Sequence, residues 1–161
     1  MPGPKSSTPD QAAYRVLNTI LGGSFTSRLN ANLREKHGYT YGAGSSFVMW
    51  PQTGIFLASS SVQQRYTGKA LAEFLREFRR MRSGDVSAAE AEKGRSTNRQ
   101  GLVSSLGGLS GLLGMAMEMA IEGSEFGVLD ARLQEIAALD REALRCLPPA
   151  TGADDGADDG R

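Results

Sequence analysis

The stretch from Leu21 to Tyr41, LGGSFTSRLNANLREKHGYTY, constrains the fold more than any other part of the chain, because two glycine stops divide it into pieces of fixed type. Before it, Ala13, Val16, Leu17, Ile20 and Leu21 fall at i, i+3, i+4, i+7 and i+8, the spacing of one apolar helix face. Thr8-Pro9-Asp10-Gln11 supplies the start of that helix, with Thr8 as cap, Pro9 at the first helical position and Gln11 reaching back as capping-box partner. Gly22-Gly23 ends it, and Ser24 is placed to cap a second helix. There Phe25, Leu29 and Leu33 recur every four residues and line one edge, while Arg28 and Asn32 point elsewhere. Gly38 stops this helix, and the aromatic, β-branched and small residues from Tyr39 to Met49 read as a strand. Pro51 to Gly54 is a turn, and Ile55 to Val62 a second strand, so a hairpin or meander follows.

Downstream the pattern becomes helical. Lys69 to Arg82 places Leu71, Phe74, Leu75, Phe78 and Met81 on one side and Glu73, Arg76, Glu77, Arg79 and Arg80 on the other, with Glu73–Arg76 and Glu77–Arg80 spaced as surface pairs. Ser87-Ala-Ala-Glu90 is a capping box that opens a long helical region. That region must accommodate Gly101, Gly107, Gly108, Gly111 and Gly114, which implies a break near Gly107-Gly108 or close contact with another element. Gln100 to Met117 contains no charge, but five Gly and three Ser point to a close-packed buried helix rather than a membrane span. Phe126, Leu129, Leu133, Ile136 and Ala137 form another apolar face, and Asp140 caps a short last helix through Leu147, ended by Pro148-Pro149.

Length and composition then limit the function classes. A chain of 161 residues holds one core, taken as residues 8–149, flanked by a flexible 1–7 and a polar 150–161 that repeats GADD and is expected to be disordered. Eighteen basic residues balance eighteen acidic ones, so no nucleic-acid partner is indicated. The glycine-rich region lacks the Lys-Ser or Lys-Thr of a phosphate loop. A lone Cys146 excludes an intrachain disulfide framework and is expected to serve as a buried small hydrophobe. MPGPKSSTPD has no apolar run of a signal peptide, so a soluble chain is expected, with its compartment unspecified.

The ordered, gapless run Leu21-Gly22-Gly23, Ser27-Arg28-Leu29, Arg34-Glu35-Lys36, Gly38 and Tyr41 resembles the C-terminal half-domain of the insulinase/pitrilysin family of zinc peptidases, to which the mitochondrial processing peptidase belongs. A weaker likeness continues through Lys69 to Arg82 and Asp85-Val86-Ser87-Ala88-Ala89-Glu90, covering roughly Pro9 to Leu147. The resemblance implies an α/β (α+β) two-layer sandwich whose mixed, largely antiparallel sheet is covered by helices on one face. Polar segments stand where the family has its terminal strands, so those strands are expected to be missing.

The same resemblance implies a division of chemistry. Family peptidases hold zinc on an H-x-x-E-H helix of the other half, where the glutamate is also the base for the zinc-bound water. This chain has one histidine, His37, and no such motif, so it is expected to bind no catalytic zinc and to serve an H-x-x-E-H partner. His37 is expected to fill a surface or capping role at a helix end. Carried over by position, Arg34 and Tyr41 would contact the peptide substrate, and Gly22, Gly23, Arg28 and Gly38 would be structural positions of the motif. Tyr39 shares strand parity with Tyr41; the spacing from Arg34 selects Tyr41. The alternative is a structural or interaction module of the same descent with no part in proteolysis.

Overall fold

The computed structural model describes residues 1–123 and 127–145; Phe126, Cys146, Leu147, Pro148-Pro149 and the GADD repeat lie outside the described residues. Helix α1, Gln11–Leu21, leads through a turn into a π-helical segment, Asn30–Lys36, and then into strands β1, Thr40–Met49, and β2, Gly54–Val62. A short 3₁₀ turn, Gln64–Tyr66, precedes α2, Thr67–Arg82, followed by α3, Ala88–Ser105, α4, Leu109–Glu122, α5, Val128–Ala138, and α6, Arg141–Arg145. The fold class is α+β, as the family resemblance implies, with β1 and β2 forming a two-stranded antiparallel sheet.

Two apolar clusters meet along α1. Ala13, Val16 and Ile20 pack with Val86, Ala91 and Leu144, while Leu21 joins Leu29, Leu33, Ala43 and Ala70; Met81 touches both. Leu29 and Leu33 are completely buried, which contributes about 2–3 kcal/mol each in area terms. The helix-facing side of the sheet continues as an aromatic ladder. Tyr14 meets Phe47 edge-on at 5.4 Å, Phe47 lies 4.9 Å from Phe56, and Phe56 meets Phe78 at 5.6 Å. Ile55 and Leu57 on the other face are exposed. Beside β2, Pro2 bridges Ile55, Gly3 N–H donates to Gly54 O at 2.9 Å and Phe56 N–H donates to Met1 O at 2.9 Å, so the first residues line that edge without forming a strand.

Several local expectations need correction. Helix α1 is capped by Asp10, with no side-chain cap bond, and not by Thr8. Thr8 N–H is used in a turn, donating to Lys5 O, and the Gln11 amide donates to Ser6 O rather than closing a capping box. On α2, Leu71 and Leu75 are exposed, whereas Glu77, assigned to the solvated side, is only 3% exposed. The helix presents Ala70, Phe74, Phe78 and Met81 to the sheet, a narrower face than the full apolar set. Burial of Glu77 is compensated because Asn32 Nδ2 donates to its Oε1 at 2.8 Å and Arg80 Nη1 to its Oε2 at 3.1 Å.

The capping box at the start of α3 is formed in both directions between Ser87 and Glu90. The glycine break also falls where the sequence places it: α3 ends at Ser105, α4 starts at Leu109, and the two are bent by 102°. Among the described residues no single helix is long and apolar enough to cross a membrane. Yet α4 is not the buried helix expected, since among its described side chains only Met115 and Met119 are buried while Leu109, Leu113, Met117 and Ile121 form an exposed stripe every fourth residue. Asp140 caps α6 as expected, accepting from Ala143 N–H at 2.8 Å.

Candidate functional site

The site is built by holding β1 against the end of α1. Gly22 O accepts from Ser45 N–H at 3.2 Å, and Ser45 Oγ donates to Asn18 Oδ1 at 2.7 Å. A Cβ on Gly22 would sit 2.5 Å from Ser45 Oγ and 2.6 Å from Ser45 N, so only glycine permits this approach. A few residues on, polar side chains are buried where the sequence shows only an apolar edge: Ser27, Arg28, Asn30 and Asn32 are each under 10% exposed.

Each of these side chains ties the segment to its surroundings. Arg28 grips Glu90 in a two-pronged pair, Nε to Oε1 at 2.6 Å and Nη2 to Oε2 at 2.8 Å, and Nη2 also donates to Asp85 O. The Arg28 guanidinium, together with donation from Ser87, holds the Glu90 carboxyl down to about 2. Asn30 Nδ2 donates to Ser24 O and Ser27 Oγ while its Oδ1 accepts from Ala43 N–H at 2.9 Å, fastening the start of β1. Asn32 Nδ2 donates to Glu73 and Glu77, both at 2.8 Å, and its bond to Glu73 is the main cause lowering that carboxyl.

The backbone between these anchors is π-helical, with His37 N–H reaching back to Asn32 O. Gly38 then turns the chain in the left-handed region at φ 62°. His37 stacks on Tyr39 at 4.9 Å, and Tyr39 stacks on Tyr66 at 4.9 Å. Strand pairing places Thr40 opposite Val62 but Ala43 opposite Ser60, one extra residue on β1. This bulge breaks the alternation that would have put Tyr39 and Tyr41 on one side. Tyr39 packs against the core, and Tyr41 is 90% exposed.

Arg34 and Tyr41 are brought together, the guanidinium carbon 5.5 Å from the centre of the Tyr41 ring. Closer still, at 4.1 Å, is Phe25. Phe25 therefore does not anchor the helix beside Leu29 and Leu33; helical geometry begins only at Arg28, and the preceding turn directs the ring outwards, 68% exposed. The Arg34 side chain pairs with exposed Glu35 at 3.4 Å, while its Nη1 is out of solvent and donates to no group among the described residues. A cleft of about 580 Å³ lies elsewhere, between α1, the end of β1 and α4, and is lined by none of these three residues. Phe25, Arg34 and Tyr41 form an open surface.

His37, the single histidine, has its Nε2 shielded and its ring stacked on Tyr39, and among the described residues no group of three or more His, Cys, Asp or Glu side chains is arranged to hold a metal ion.

The fold and this surface define an α+β domain that lacks an H-x-x-E-H sequence. The model of the peptidase M16 inactive domain matches residues 1–98, more than half of the 161, and the chain belongs to that family. No curated protein matches it in sequence. Among solved structures it is similar to a peptidase M16 inactive domain from Pseudomonas fluorescens, at 23% identity and a TM-score of 0.77 over 89% of this chain and 34% of that one. It is similar also to a protease from Helicobacter pylori, at 21% identity and a TM-score of 0.80 over 89% and 35%. The periplasmic protease PqqL from Escherichia coli matches at 15% identity and a TM-score of 0.69, over 89% and 16%. The chain thus spans about a third of the first two structures and a sixth of the last.

Proposed function

We propose that this non-catalytic domain forms part of the chamber wall of a zinc metallopeptidase and contacts the peptide substrate through Arg34 and Tyr41. The observation that carries the reading is their convergence from the π-helical segment and from the bulge of β1, with Tyr41 exposed and the Arg34 guanidinium carbon 5.5 Å from its ring. In this reading the Arg34 guanidinium donates to a peptide carbonyl of the substrate that takes no part in the reaction, and the Tyr41 phenol donates to the scissile carbonyl oxygen as charge develops on it. Zinc and the base for its water belong to the H-x-x-E-H half, and Arg28, Gly22, Gly23 and Gly38 hold the two contact residues in place.

The test is to assay peptide cleavage by an H-x-x-E-H half with and without this chain, then with Arg34→Ala and Tyr41→Phe. Tyr41→Phe is expected to lower kcat about 10²-fold, the scale of one lost oxyanion donor. Cleavage that ignores both substitutions sinks the assignment. The exposed stripe of Leu109, Leu113, Met117 and Ile121 on α4 favours a second reading, an interaction module without proteolysis. A stable partner complex whose formation needs the stripe, with no peptide binding, is its outcome.

A further inference from the structure

We propose that Phe25 is a positioning residue for Arg34, holding the guanidinium between two rings as a preset donor. The inference rests on the reading of Arg34 as a substrate contact. Phe25 belongs to neither apolar cluster and keeps 68% of its surface in water, so core packing does not account for it. Its ring faces the Arg34 guanidinium at 4.1 Å, with Tyr41 at 5.5 Å from the same carbon. The competing restraint is weak, a 3.4 Å pair with Glu35, whose side chain is 66% exposed.

A surface arginine is otherwise free to sample many rotamers, and any acceptor must then bear the cost of ordering it. Aromatic contacts with the face of the cation restrict that freedom while leaving its in-plane N–H groups other than the shielded Nη1 to donate. The ligand chemistry suited to such a group is an oxygen approached edge-on, such as a peptide carbonyl. Because a carbonyl is present in both bound substrate and transition state, ordering Arg34 strengthens both alike and acts on KM rather than kcat. Tyr41, donating to developing charge, acts on kcat. Phe25 and Tyr41 are thereby separable although both touch Arg34.

The experiment uses this chain in complex with the H-x-x-E-H half and a fluorogenic peptide, comparing Arg34→Ala, Phe25→Leu and Phe25→Tyr. Phe25→Leu is expected to raise KM about fivefold, the scale of a cation–π contact, with kcat within about twofold, and Phe25→Tyr to restore the native KM. In an Arg34→Ala background, Phe25→Leu should add nothing. On the chain by itself, the Arg34 side-chain protons should show a ring-current shift that Phe25→Leu reduces to the smaller contribution of Tyr41 and Phe25→Tyr retains, with the backbone amide spectrum otherwise unchanged. If Arg34→Ala raises KM but Phe25→Leu leaves both KM and the proton shift unaltered, the role of Phe25 is overturned and that of Arg34 stands. If Arg34→Ala changes nothing, the substrate reading itself falls.

Discussion

The Arg28–Glu90 pair offers the sharpest test of how the site is held, because it joins the segment leading into the π helix to the cap of α3, 62 residues away. The Glu90 carboxyl is lowered from 4.5 to about 2, first by donation from Arg28 and then by the Ser87 backbone and hydroxyl. At about 1.36 kcal/mol per pKa unit, the full shift would correspond to about 3 kcal/mol. The Glu90 side chain is 31% exposed, and solvent screening reduces the usable part to about 1.5 kcal/mol. The sign follows from the depressed folded value: the contribution is complete above pH 4.5 and is lost as pH falls towards 2. Glu90→Gln should therefore cost about 1.5 kcal/mol at pH 7 and less than half of that at pH 3. Arg28→Met should cost about 3 kcal/mol, since it strands Glu90 and removes the donor to Asp85 O. Urea unfolding followed by circular dichroism at the two pH values measures both. Equal losses for Glu90→Gln at pH 7 and pH 3 would refute the ionic origin, and additive single-variant losses in the double mutant would refute the pairing.

Three further outcomes follow from the same geometry. Gly22→Ala should destabilise by about 1–3 kcal/mol in urea unfolding, the usual scale of overpacking, because its Cβ would meet Ser45 Oγ at 2.5 Å. Gly38 has φ 62° and open space where a Cβ would stand; Gly38→Ala should cost about 1 kcal/mol from backbone strain alone, and Gly38→Asn distinctly less. Asn32→Ala should raise the Glu73 carboxyl towards its ordinary range, visible in a side-chain NMR titration, and should destabilise by about 2 kcal/mol by leaving Glu77 short of a donor.

Much of the fold was legible because it follows from periodicity and punctuation. The α1 face, the two glycine stops, the hairpin, the Ser87–Glu90 box and the break after Ser105 each rest on local chemistry, and each lies close to its expected place. Failures arose where tertiary contact outweighed pattern. Leu71 and Leu75 belong to a valid apolar face, but α2 rotates to bring Glu77 under Asn32, so both leucines remain in solvent. The α4 glycines suggested burial, yet the helix turns away at 102° to α3 and exposes its leucines.

At the candidate site, Arg34 and Tyr41 were singled out only through the family motif, and the outward turn of Phe25 was not foreseen because the count of four that links it to Leu29 assumes a helix already running at Ser24. Helical geometry begins at Arg28, and the wider π turns from Asn30 onward change which side Arg34 faces. A period of 3.6 cannot carry that information, since a π segment is an exception to the period itself. One signal was present in composition: Asn30 and Asn32 are weak formers of a helix interior unless their amides find partners elsewhere, and Arg28 beside them supplies a further donor. Those partners are Glu90, Ala43 N–H, Glu73 and Glu77. Their geometry specifies the irregular backbone, and that backbone sets Arg34 between Phe25 and Tyr41. Weakening any of these anchors should therefore loosen the arginine before it unfolds the domain, so Asn30→Ala should diminish the Arg34 ring-current shift at temperatures where circular dichroism still reports a folded chain; simultaneous loss of both signals would argue against this order of events.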